Sequence, residues 1–187
     1  MTTAYNRKKQ PEAVRRALLD CATKLAGEWG LTALTVQAVA DAAGVTKGGL
    51  FHHFPNKQAL IDAVAADLLD QFDAEIDAYM AKDDHPYGRF TRAYVEANFN
   101  NQGFGIGSPM AAMAISLITN PDMNRAWLKW LAERLRRHYD TDNAPILEIV
   151  RLAADGAWTA HLMGAAEVLS TSPDDLRLRL LALTLDN

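Results

Sequence analysis

The 187-residue chain has one cysteine, Cys21, so no disulfide can form within it. A lone thiol fits a reducing compartment, and a cytoplasmic location is expected. Cys21 reads as a small buried residue on a helix, with a redox role as the alternative. No apolar run reaches the roughly 20 residues that a membrane-spanning helix needs, so no membrane partner is expected. Nor does an apolar stretch follow Arg7-Lys8-Lys9, which argues against a secretory signal. Sustained period-2 alternation is missing too, and with it the case for strands. Catalytic signatures are equally scarce: there is no HExxH, Walker loop, GxSxG or cysteine–histidine cluster at metal spacing. No metal or cofactor is implied, and an enzyme with an unrecognised site is the remote alternative. Asp83-Asp84-His85 and Asp140-Thr141-Asp142-Asn143 read as solvated turns.

Positive charge is in short supply overall: 19 Lys and Arg against 23 Asp and Glu give a net −4. Taken alone, that balance argues against nucleic acid. Its distribution argues the other way. Residues 1–60 hold eight basic side chains (Arg7, Lys8, Lys9, Arg15, Arg16, Lys24, Lys47, Lys57) and four acidic ones. The remaining 127 residues carry 11 basic and 19 acidic. A basic head on an acidic body suggests that the head meets a polyanion.

Helical spacing runs through most of the chain. Val14, Leu18, Cys21, Leu25 and Trp29 fall at steps of three or four and predict one apolar stripe. Pro11 suits the first turn of that helix, and Gly30 suits its left-handed terminus. Thr35 predicts the cap of a helix from Val36 to Ala43, closed by Gly44. Thr46 caps the next, Lys47 to about His53, which Pro55 ends. Asn56 opens a long helix over 57–82, in which Leu60, Val64, Leu68, Phe72, Ile76 and Tyr79 keep the 3.6 period. Further helices are predicted near 87–101, 108–119, 122–139, 144–169 and 173–185, the last opened by Ser172 and Pro173. The all-α chain thus divides into a head, residues 1–56, and a body, residues 57–187. The long helix, rather than a flexible linker, connects the two.

The stretch 35–54, TVQAVADAAGVTKGGLFHHF, has the shape of a helix-turn-helix. Val36, Val39, Ala40 and Ala43 supply the apolar face of the first short helix. Gly44 permits the turn, and Val45, Leu50 and Phe54 anchor the second helix. Thr46, Lys47, Gly48, Gly49 and His52 are left on the outer, N-terminal face, the end that enters a major groove. Two successive glycines cost a helix about 1 kcal/mol each relative to alanine. A helix pressed against DNA gains close backbone approach in return. The alternative is a compact packing module whose glycines only let helices meet. Helix starts behind Thr35, Thr46 and Asn56 offer amides to phosphates, with Lys47 and Lys57 beside them. Thr46 suits a thymine methyl, and Lys47 a guanine edge or a phosphate.

From Ala17 to Leu60 these elements together resemble the DNA-binding domain of the TetR family. The resemblance rests on Gly30, Leu34-Thr35-Val36, Val39-Ala40, Ala43-Gly44-Val45, Thr46 to Phe54, and Asn56 to Leu60. It implies an all-helical homodimer that reads a palindromic double-stranded operator through three-helix heads. It also implies a C-terminal helical domain for ligand binding and dimerisation. By position, Thr35, Thr46, Lys47, Gly48, His52 and Lys57 match residues that touch DNA in the family, and Gly49 shares their face. Where many relatives carry tyrosines this chain has Phe51-His52. The phenol at 51 is lost as a phosphate donor, and His52 offers one instead, better when protonated. The mechanism implied is a population shift: effector binding swings the long helix until the heads no longer match half-sites about 34–36 Å apart.

The body carries no comparable signature. Its 144–169 helix is apolar on more than one face, with Ile146, Leu147, Ile149, Val150, Leu152 and Trp158 among others, and must be covered on several sides. With the 173–185 helix it predicts a four-helix interface in a homodimer; a central helix of a monomeric core is the alternative. Phe72, Met113, Trp127 and Trp158 are candidates to line a pocket for a small apolar or aromatic effector, against their ordinary reading as core. His161 is the polar candidate to orient that ligand, or else a satisfied core histidine. The segment 98–109, NFNNQGFGIGSP, is too glycine-rich for a helix and reads as a loop bordering the pocket. The function expected is a DNA-binding transcriptional regulator, a repressor released from its operator by the effector. An effector-independent or protein-controlled DNA binder is the alternative.

Overall fold

The computed structural model describes residues 4–30, 34–100, 120–165, 168 and 170–185, with only the backbone of residues 4–10 and of Trp29. The helix predicted at 108–119, the glycine-rich run from 101 to 109 and Met113 lie outside the described residues. Among the described residues all regular structure is helical. The elements are α1 (Ala4–Trp29), α2 (Val36–Ala42), α3 (Lys47–His53), α4 (Lys57–Met80), α5 (Arg89–Phe99), α6 (Pro121–Arg137), α7 (Tyr139–Asp142), α8 (Pro145–Leu162) and α9 (Pro173–Ala182). Met1–Leu68 and Leu69–Asn187 form two compact units, and α4 supplies residues to both. No helix among the described residues is long and apolar enough to cross a membrane.

In the first unit Leu18, Leu19, Ala22 and Ala26 of α1 are buried, as are Leu34, Val39, Ala40, Leu50, Phe54, Leu60 and Val64. The α1 stripe is therefore turned from the predicted one, since Val14, Cys21 and Leu25 are only half-buried. Alanines at 22 and 26 take the inner face because short side chains let neighbouring helices come close. α1 also begins ahead of Pro11, which lies inside the helix rather than in its first turn. Arg16 donates from Nε to Asp20 at 2.8 Å and from Nη2 to Asp67 of α4 at 2.8 Å. Its side chain is 46% exposed, so the pair orients α1 against α4 more than it stabilises the unit.

The second unit is built around α5. Phe90, Ala93, Tyr94, Val95 and Ala97 are buried with Phe72 and Ile76 of α4, Val150 and Ala154 of α8, and Leu180 of α9. Asn98 and Phe99, predicted as loop, close this helix. The solvated turn expected at Asp140–Asn143 is instead mostly the short helix α7, and its Asp142 is 2% exposed. A buried carboxylate needs donors, and Asp142 has three. Thr91 gives its amide at 2.8 Å and its hydroxyl at 2.7 Å, and Thr141 gives its hydroxyl at 2.9 Å. Asp83 is likewise not simply solvated, for it accepts from Arg92 Nε at 2.6 Å. Arg134, its side chain 3% exposed, ties α6 to α4 by donating to Asp73 at 2.6 Å and Asp77 at 2.7 Å. α8 stops at Leu162, short of the predicted 169. Gly164 takes a left-handed φ of 73°, through which a helix does not continue. α9 starts as predicted, with Ser172 Oγ accepting from the Asp175 amide at 3.1 Å.

Two stability tests follow from this unit. Gly88 has a φ of 68°, and a Cβ there would lie 2.9 Å from the Thr184 carbonyl oxygen. Gly88→Ala should cost roughly 1–3 kcal/mol, seen as a lower urea midpoint; a wild-type midpoint would mean that the loop absorbs the strain. His138 stacks on Phe90 at 5.2 Å, and its buried Nε2 has no hydrogen-bond partner among the described residues. Burial holds its pKa below the ordinary 6.5. The unfolded chain therefore takes up a proton that the folded chain refuses, so stability present above pH 6.5 is lost as the pH falls below it. Denaturation between about pH 7 and 5.5 should show a steeper loss in the wild type than in His138→Phe. Parallel curves would place the imidazole in water.

Candidate nucleic-acid interface

Helix α3 owes its outward face to two inward anchors. Leu50 is fully buried and Phe54 nearly so, which leaves Lys47, Gly48, Phe51 and His52 exposed. Gly44, at a φ of 66°, donates its amide to the Asp41 carbonyl at 3.2 Å and ends α2. Three helix starts are capped as the sequence predicts. Thr35 Oγ1 accepts from the Ala38 amide at 3.1 Å, Thr46 Oγ1 from Gly49 at 3.1 Å, and Asn56 Oδ1 from Ala59 at 2.8 Å. Each cap takes the third amide of its helix. The earlier amides point out of the helix end, where the dipole favours an anion. Thr46 Oγ1 is engaged as an acceptor, which leaves its O–H and its methyl facing outward at the start of α3.

The two glycines are not equivalent. A Cβ at Gly48 would meet only Thr46 Oγ1, at 3.9 Å. At Gly49 it would stand 3.4 Å from the same oxygen and 3.8 Å from Val45 Cβ. Gly49 is half-buried, so it stands at the margin of the predicted face rather than on it. Neither glycine has a positive φ. Among the described residues of the first unit nothing requires glycine at 48, which weakens the reading of the pair as a device for helix packing.

Thr35 and Lys57 are exposed at the starts of α2 and α4. Lys47 Nζ lies 5.8 Å from the centroid of Phe51, which is 39% exposed. Such a contact is worth about 0.5–1 kcal/mol at an exposed site, enough to bias the lysine but not to withhold it from a phosphate. Phe51 therefore does more than lack a phenol, and its i, i+4 spacing from Lys47 was the available signal. Arg15, one of the basic residues of the head, has its guanidinium 5.1 Å from the Phe54 ring and puts an exposed cation beside the end of α3. The His52 ring meets His53 edge-on at 5.5 Å.

In the second unit, Phe72 is 6% exposed and lies 5.8 Å from Trp127 and 5.4 Å from Trp130, with Tyr94 edge-on at 6.1 Å. Phe72 and Trp127 are thus brought together in a packed cluster, while Trp158 and His161 stand half-buried on α8. The Tyr94 hydroxyl donates to Asp155 at 2.6 Å. Burial pushes the Asp155 carboxyl up and the Tyr94 phenol well above its ordinary range. Asp155 was not singled out from the sequence. A separate cleft of about 440 Å³, bordered by Tyr79, Lys82, Glu96, Leu178, Leu181 and Leu185, contains none of the predicted ligand residues.

Capped short helices with an exposed α3, followed by a separate helical unit, define a helix-turn-helix protein. Residues 18–64 match the family described as bacterial regulatory proteins, tetR family, and residues 88–185 match the tetracyclin repressor-like C-terminal domain. The chain belongs to the TetR family. It is 36% identical over 101 residues to the HTH-type transcriptional repressor KstR2 of Rhodococcus jostii, a stretch covering 54% of this chain and 47% of that one. The match thus spans about half of that repressor's length. Over 62 residues it is 44% identical to the class A tetracycline repressor protein from transposon 1721 of Escherichia coli, covering 33% of this chain and 27% of that protein. A TetR-family transcriptional regulator from Rhodococcus sp. has the same fold, with a TM-score of 0.70 at 17% identity over 92% of this chain and 97% of that one.

Gly48→Ala removes a poor helix former without a clash, and should stabilise the first unit by about 0.5–1 kcal/mol. Thr46→Ala loses a cap and should destabilise it by about 1 kcal/mol. Thermal unfolding measures both, and a destabilised Gly48→Ala would mean that the fold itself needs that glycine.

Proposed function

We propose that the chain is a cytoplasmic DNA-binding repressor. On this reading it holds a palindromic double-stranded operator as a homodimer and leaves it when a small, largely apolar or aromatic effector binds the second unit. The observation that carries the reading is Gly48. It occupies the exposed first turn of α3, where a Cβ would meet nothing closer than 3.9 Å. A helix-weakening residue that the fold does not need is accounted for by a surface lying close against the backbone there. Lys47 and Lys57 then neutralise phosphates, with Thr35 and His52 adding backbone contacts. The Thr46 methyl and Lys47 read bases. With so few side chains on α3, phosphate contacts supply much of the affinity.

The functional division we propose falls at 56/57, with α4 carrying the effector signal to the head. Phe72, Trp127, Trp158 and His161 are the described residues proposed to meet the effector. The dimer contact is assigned to α8 and α9 because Ile149, Leu152 and Leu178 are 58%, 63% and 56% exposed in the single chain. Apolar faces of that kind call for a cover, and a second copy supplies one in a four-helix arrangement.

Selection from random duplex DNA followed by fluorescence anisotropy tests the proposal. The selected site should be palindromic and bind two protomers. Lys47→Ala should weaken binding about tenfold and flatten the salt slope by about one unit. Gly48→Ala should weaken binding even as it stabilises the protein. Failure to select any site, or a Lys47→Ala variant matching wild type in affinity and slope, overturns the proposal.

A further inference from the structure

Asp155 is the one charge in the run Leu152-Ala153-Ala154-Asp155-Gly156-Ala157-Trp158. It is half-buried on α8, and its only side-chain hydrogen bond among the described residues comes from a neutral group, the Tyr94 hydroxyl at 2.6 Å. Neighbouring carboxylates are better served. Asp73 and Asp77 share Arg134, Asp83 has Arg92, Glu96 has Arg177, and Asp142 has three donors. Arg151 lies one turn before Asp155 but bonds the Thr91 hydroxyl at 2.6 Å and the Asp142 carbonyl at 3.3 Å. Its hydrogen bonds therefore go to the Asp142 side of the helix, and Asp155 shares its charge at a distance without a bonded cation of its own among the described residues.

A carboxylate withdrawn from water with one neutral donor either takes up a proton or gains from a cation. Burial pushes this carboxyl upward, against the pull of Tyr94 and Arg151. Its donor Tyr94 belongs to an aromatic cluster: Tyr94 meets Phe72, which lies against Trp127 and Trp130, and Trp158 follows Asp155 by three residues on α8. Such faces attract a cation and also cover an apolar body. His161 stands half-buried in the last turn of α8.

We infer that Asp155, rather than His161, is the polar anchor of the effector site, and that the effector presents a protonated amine beside an aromatic body. The inference rests on the effector-binding reading given above. Isothermal titration of the full chain with 1-naphthylmethylamine, 1-naphthalenemethanol and 1-naphthoate compares one ring system at three charges. The amine should bind about tenfold more tightly than the alcohol, and the carboxylate most weakly. In Asp155→Asn the amine should fall to the alcohol's affinity while the alcohol keeps its own. Tyr94→Phe retains the carboxylate and the ring, so it should retain the preference for the amine. Equal binding of all three probes, a preference that survives Asp155→Asn, or its loss in Tyr94→Phe overturns the anchor and leaves the apolar effector site standing. If none of the three binds, both readings fall.

Discussion

Burial of Leu50 and Phe54 is the constraint on which the first unit depends. α3 is seven residues long, too short to hold a helix in isolation. Its conformation and its facing are borrowed from the core beneath it. Leu50 has no exposed surface and Phe54 has 2%, so a rotation of α3 would expose both. Small residues in that core, Ala22, Ala26 and Ala40, are each fully buried and let the helices approach closely. Everything outward follows from that fit: the first turn of α3 faces solvent because the opposite side cannot.

The second unit adds charges to caps at its joints. α5 buries apolar side chains along most of its length, and arginines reach across its neighbours. Arg92 Nη1 meets the Tyr87 carbonyl at 2.7 Å and the Thr184 carbonyl at 3.1 Å, which joins the start of α5 to the end of α9. Arg134 does the same for α4 and α6. Both arginines are themselves largely withdrawn from water, so removing their partners would leave a poorly solvated charge.

Most of the first unit was legible because its signals are local. A threonine cap, a glycine turn and an apolar spacing each act within four residues, and α3 falls where they place it. The α1 stripe was misjudged because Ala22 and Ala26 carry little hydrophobic weight in a pattern, although they pack most closely. Asp142 was misjudged for a related reason: its partners, Thr91 and Arg151, lie 51 and nine residues away. Asp155 left a trace as a charge within an apolar run, but its meaning depends on Tyr94, 61 residues earlier. Gly164 could have ended α8 on paper, had its left-handed tendency been weighed above the apolar run around it.

The proposed switching also has a covalent basis in α4. Leu60 and Val64 of this helix are buried in the first unit, while Phe72 and Ile76 are buried in the second. Asp73 and Asp77, the partners of Arg134, lie on the same helix as Lys57. On the proposed reading, a ligand that met the Phe72–Trp127–Trp130 cluster would touch the same helix that carries Leu60 and Val64. An effector shifts an equilibrium only by its differential affinity for the two states. On the same reading, a charge-dependent contact at Asp155 made in one state only would supply that difference.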